Sequence, residues 1–230
     1  MNRLMKARFG IFVVMLLLMP LAFSLSKAHA DTITFNMNTV YSGGTPSGSA
    51  PWATATISDT GTNTVTLTMD NLLSSPQFIS DWYFNLDPAE VGSVTGSDFT
   101  YKSGFAANST QVGEDGFKAD GGGYYDIDIN WLTSQGNRFV GGESSVYTIT
   151  ASGLDAQDFL YLSTQSGGNG THYSAIHVQG IPPCGDSAWV GSDKANVPEP
   201  GTMALFGMGL ALAGALSFVR RKRVKNCKSR

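Results

Sequence analysis

Asp126, Asp128 and Asn130 alternate with isoleucines in Asp126-Ile127-Asp128-Ile129-Asn130, and Asp120 stands just ahead of a Gly121-Gly122-Gly123 run. Hard oxygen donors gathered in this way suit Ca²⁺. On a strand, residues two apart share a face. Asp126, Asp128 and Asn130 therefore point one way, and Ile127, Ile129 and Trp131 the other. Donors two positions apart are separated by about 6.6 Å. A cation then needs converging carboxylates or further ligands from loops, and the spacing is not that of an EF-hand loop. The competing expectation is an ordinary polar face. Asp120, Asp126, Asp128 and Asn130 are the candidate Ca²⁺ ligands, and no other cofactor is expected.

Other constellations are less pointed. Residues 31–197 hold seventeen acids, so some pair at a glycosidase separation arises by chance, and no motif selects one. His172 and His177 are five residues apart, on opposite faces if one strand carries both, which does not suit a shared metal. No Gly-x-Ser-x-Gly elbow is present, and Cys184, within Pro182-Pro183-Cys184-Gly185, fits no nucleophile pattern. The chain is read as a non-enzyme. Tyr124, Tyr125 and Tyr173 offer rings on which a sugar could stack. A carbohydrate-binding module is therefore the alternative reading, with a secreted hydrolase behind it.

The elements that must position these residues are strands. Residues 53–57 and 64–69 alternate with period two and are rich in Thr and Val. The turn-forming string 58–63 between them predicts a hairpin. Further strands are expected at 78–86, 124–131, 145–150, 159–163 and 174–178, with a helical turn at 155–158. In the first of these Trp82, Phe84 and Leu86 share a face. This spacing, with Gly-rich turns and no long amphipathic helix, predicts an all-β antiparallel β-sandwich of jelly-roll-like type. Its domain covers residues 31–190, and 191–200 is the linker that follows.

The two ends read as export signals. Arg3, Lys6 and Arg8 precede an apolar stretch, and Ala28-His29-Ala30 supplies a small-x-small site. Residues 1–30 are therefore expected to be a signal peptide, passed through the secretory translocon and cut by signal peptidase between Ala30 and Asp31. Residues 201–219 are uncharged and apolar, a length that spans roughly 28 Å as a helix. The basic stretch 220–230, opening with Arg220, Arg221, Lys222 and Arg223, stops transfer and stays cytoplasmic by the positive-inside rule. Between the signals, four basic residues face seventeen acids, a net charge of −13 over residues 31–197. Such a surface excludes nucleic acid as a partner. Cys184 and Cys227 lie on opposite sides of the expected membrane helix and cannot pair.

Val197-Pro198-Glu199-Pro200, followed by one apolar helix and then Arg220-Arg221-Lys222-Arg223, resembles the PEP-CTERM sorting signal of Gram-negative bacteria. The resemblance implies that the chain is the substrate of an exosortase, a membrane transpeptidase-like enzyme acting near Pro198-Glu199-Pro200. It implies an exported protein of the cell surface or extracellular matrix, transiently held by a single membrane helix and linked to exopolysaccharide and biofilm. Three further strings are similar to a recurrent exported domain that precedes the same signal. They are 81–88, 145–150 followed by 153–159, and 175–181, and that domain brings fold context without a mechanism.

Overall fold

A computed structural model of the chain describes residues 31–197. The signal-peptide site at Ala28 and Ala30 lies outside the described residues. So do Pro198, Glu199 and Pro200, the apolar run 201–219, and Arg220, Arg221, Lys222 and Arg223.

The described residues form thirteen strands and three short 3-10 turns. In chain order the strands begin with β1 (Thr32–Met37), β2 (Thr39–Gly43), β3 (Ala53–Gly61) and β4 (Thr64–Asn71). They continue with β5 (Phe78–Phe84), β6 (Phe99–Gly104), β7 (Ser109–Ala119), β8 (Gly123–Asn130) and β9 (Phe139–Val140). The last four are β10 (Ser144–Thr150), β11 (Ser174–Ile181), β12 (Asp186–Ser192) and β13 (Ala195–Asn196). Two antiparallel sheets result. One runs β13-β1-β3-β4-β10-β6, and the other β2-β12-β11-β5-β8-β7, with β9 added on β5. Among the described residues no helix is long and apolar enough to cross a membrane.

Period-two alternation builds the core. Ile33 and Phe35 of β1, Ile57 of β3, Leu67 of β4 and Ile149 of β10 point inward from the first sheet. Trp82 and Phe84 of β5, Ile127 and Ile129 of β8, and Ile176 and Val178 of β11 point inward from the second, and all join one apolar cluster. Each such side chain contributes roughly 1.5–3 kcal/mol on burial. The first sheet's outer face is a field of hydroxyls. Thr32 pairs with Ser58 at 3.0 Å, Thr34 with Thr56 at 3.4 Å and Thr64 with Thr150 at 3.1 Å. β-Branched Thr fits both demands here, a pleated backbone and a wet face.

The hairpin expected from residues 53–69 is present as β3 and β4, with Asn63 at φ 55° in its turn. Asn tolerates that left-handed backbone better than most residues. Trp82, Phe84 and Leu86 are buried together, and Trp52 and Trp131 join them in the core. The expected strand at 159–163 does not form. Asp155 and Asp158 make a reciprocal capping box that draws Ala156–Phe159 into a 3-10 turn. Phe159 then plugs the core while Leu162 is exposed. β1, β2, β6, β7, β9, β12 and β13 are strands beyond those expected. β7 hid because its pairing with β8 shifts between Val112 and Phe117, and Gly113 and Gly116 interrupt its alternation there.

Candidate functional site

β8 places Asp126, Asp128 and Asn130 opposite Ile127 and Ile129, as the alternation requires, but their side of the sheet is not open to water. Asp126 is 7% exposed and Asp128 8%. Asp126 is occupied by backbone: one carboxylate oxygen accepts from Leu86 N–H and the other from Asp115 N–H, each at 2.9 Å. Burial pushes its carboxyl up, and the two amides oppose that only in part. Asn130 donates to Asp81 at 2.8 Å. Asp120, beyond the end of β7, is exposed and accepts from the Ser42 hydroxyl at 3.0 Å. Three of the four expected ligands, Asp126, Asn130 and Asp120, are thus spent on separate partners. Among the described residues no three His, Cys, Asp or Glu side chains are grouped to hold a metal.

Asp128 differs from its neighbours. Its Oδ1 is buried without a hydrogen-bond partner. Burial, with the Asp81 charge next to it, pushes its carboxyl up to about 7.

Beside it lies a polar knot that the sequence did not announce. β5 carries one extra residue against β11 at Ser80, since Asp81 pairs with His177 and Ile79 with Val178. The bulge turns the Ser80 hydroxyl toward Asp81 (2.6 Å) and His177 Nδ1 (3.0 Å). Asp81 also meets that same Nδ1 at 3.3 Å, and Gln179 donates to Ser80 at 3.0 Å. Burial alone would raise the Asp81 carboxyl. Hydrogen bonds from His177, Ser80 and Asn130 outweigh it and hold the group below the usual carboxylate range.

Serine, histidine and aspartate are together here, yet not in a catalytic order. A hydrolytic relay needs the serine on one ring nitrogen and the acid on the other. Both sit on Nδ1, Ser80 is hydrogen-bonded to the acid itself, and Ser80 is buried.

The second sheet's outer face is closed by aromatic rings. His177 stacks on Trp189 with centroids 4.5 Å apart, Trp189 on Tyr83 at 5.4 Å, and Tyr83 on Phe117 at 6.5 Å. Rings that cover one another present edges, not faces, to a ligand. Tyr125 is fully buried against Tyr83, and Tyr173 stacks on Phe35. Tyr124 is half-buried, with the Lys118 ammonium 5.6 Å from its ring centre. Cys184 is exposed and free, at the turn between β11 and β12.

The last described segment is tied down by residues far away in sequence. The Asp193 carboxylate takes His172 Nδ1 at 2.6 Å and the Thr39 hydroxyl at 2.6 Å. His172 is buried and stacks on Tyr41, centroids 4.5 Å apart. Ala195 and Asn196 then pair with Phe35 and Thr34 as β13, inside the stretch 191–200 expected to be a linker. Val197 follows, 39% exposed, one residue before Pro198. Asp193 carried no motif. Ser80 and Asp81 had only the period-two signal that sets Asp81 opposite Trp82.

No curated protein and no solved structure matches this chain. The motif implies an exosortase as processing partner and export to the cell envelope or surface. A family model matches residues 196–223, beginning at the second residue of β13, and the chain therefore carries the PEP-CTERM protein-sorting motif that its tail resembles.

Proposed function

We propose that this is a non-enzymatic, exported β-sandwich of the jelly-roll-like type, sorted by an exosortase to the surface or matrix of a Gram-negative cell. The observation that carries the reading is the sorting motif, which starts at Asn196 where the last strand ends. Residues 1–30 deliver the chain through the translocon, and signal peptidase removes them at Ala30. Residues 201–219 hold it briefly across the inner membrane, with Arg220, Arg221, Lys222 and Arg223 on the cytoplasmic side. The exosortase acts near Pro198-Glu199-Pro200, and the released domain joins the exopolysaccharide of a biofilm.

Two features support a non-catalytic role. The Ser80-His177-Asp81 knot lacks relay geometry, and its serine is buried. The aromatic rings of the same face cover one another.

Intact mass and fractionation of the native protein, in hosts with and without the exosortase, test the sorting reading. The expected outcome is a shortened C-terminus at the surface only when the enzyme is present. A full-length chain in the inner membrane of the normal host overturns it. A panel of glycosidase and esterase substrates should show no turnover, and turnover abolished by His177→Ala would refute the non-enzymatic reading.

A further inference from the structure

We propose that β1 competes with the processing enzyme for the backbone where the sorting motif begins, so that residues 195 and 196 must leave the sheet before the motif is captured. The proposal rests on the exosortase reading above, and names the step that controls it.

The motif and the fold overlap. Asn196 is the first matched residue, and it is also paired with Thr34 of β1. From Asn196 to Pro198 the chain has two residues, a reach of about 7 Å at full extension, and to Pro200 about 14 Å. Two stacked sheets lie about 10 Å apart. An enzyme that encloses an extended peptide at 197–200 would therefore meet the body of the domain. It would also need backbone groups near residues 195–197, and at 195 and 196 β1 already holds the chain.

The hold is built to be local. It consists of two residue pairs at the edge of the first sheet, with the Asp193 clamp to His172 and Thr39 just upstream. An open surface depression of about 560 Å³ borders the segment, lined by Leu160, Tyr173 and residues 193–197. Ala195 is only partly buried, so little of the core depends on it. Residues 195 and 196 can detach while the Asp193 clamp and the rest of the sheet stay in place. Only the hydrogen bonds between β13 and β1 are broken in this step, and no covalent bond; it precedes the chemistry.

The test uses the full chain in a host with its exosortase, in a Cys184→Ser background that removes the free thiol of the exported domain. Thr34→Cys with Asn196→Cys staples β13 to β1. Thr34 and Asn196 are directly opposed across the ladder, at a separation that a disulfide spans. Each single cysteine variant is the unlinked control. Pulse-labelling followed by mass analysis measures loss of the tail. The stapled chain should be processed at least tenfold more slowly than the controls. A six-residue Gly-Ser insertion between Asn196 and Val197 should restore the rate with the staple intact, because it moves the motif clear of the sheet. Equal rates for stapled and unlinked chains overturn the proposal. So does a block that the insertion fails to relieve, which would indicate general damage from the staple. If the unlinked chains keep their tails even with the enzyme present, the sorting reading itself is overturned, and this proposal with it.

Discussion

Asp128 shows how one side chain's setting outweighs its type. Its carboxyl titrates near 7 in the fold, against 3.8 as the ordinary value, because it is buried beside Asp81. The folded state prefers the neutral acid. The stability this gives is whole below about pH 4 and is lost as pH rises through 7. Asp128→Asn should therefore leave the melting temperature near wild type at pH 4 and raise it at pH 8. The expected gain there is about 1–4 kcal/mol, read from denaturant melts at both pH values. Equal stabilities at pH 8 would contradict this account. Asp126 differs from it in having both oxygens occupied by backbone amides. Asp126→Ala strands the Leu86 and Asp115 amides and should cost about 1–3 kcal/mol for each one that stays dry. Since those amides already occupy both oxygens, melting temperatures in excess Ca²⁺ and in chelator should coincide. A rise with Ca²⁺ would reveal ligands that the Asp126 geometry does not provide.

At the level of elements, short local signals decided between turn and strand. The segment from Phe159 onward has the composition of a strand, but Asp155 and Asp158 close a capping box just before it. Asp155→Ala should lower stability by about 0.5–2 kcal/mol, measured as a shift in the urea midpoint. A neutral result would mean that Phe159 alone holds the turn. β8 behaved as its alternation foretold. What the alternation lacked was the neighbour: β8 lies between β5 and β7, and Asp126 and Asp128 are buried on its polar face. A pattern of period two separates two faces without saying which of them stays wet.

Across the whole molecule, both sheets feed one apolar cluster, so neither can melt alone. Trp82, fully buried and bonded through its indole N–H to Ser174 at 2.9 Å, belongs to that cluster. Trp82→Ala should cost about 3–5 kcal/mol. Near-ultraviolet and far-ultraviolet circular dichroism should still report one coincident transition, and separated transitions would show that the sheets fold independently. The net charge of −13 over residues 31–197 also acts at this scale, through self-repulsion and solubility rather than through any one contact.

The sequence by itself determined the order of parts. Proline-flanked Glu199, an uncharged run and a basic block are local in the chain, so they are legible without a fold. It also determined the all-β character and how the side chains of β3, β4 and β8 divide between two faces, because side-chain direction alternates with the backbone. Only the tertiary structure decided what lies next to what. Thr39 and Asp193 are 154 positions apart and share a hydrogen bond; Ser80 and His177 are 97 apart and do the same. Pairings over such distances depend on the strand order of the whole sheet, which no local period encodes. That order seats Ala195 and Asn196 on β1, where the sequence reads as linker, and so sets the start of the sorting motif against the folded domain.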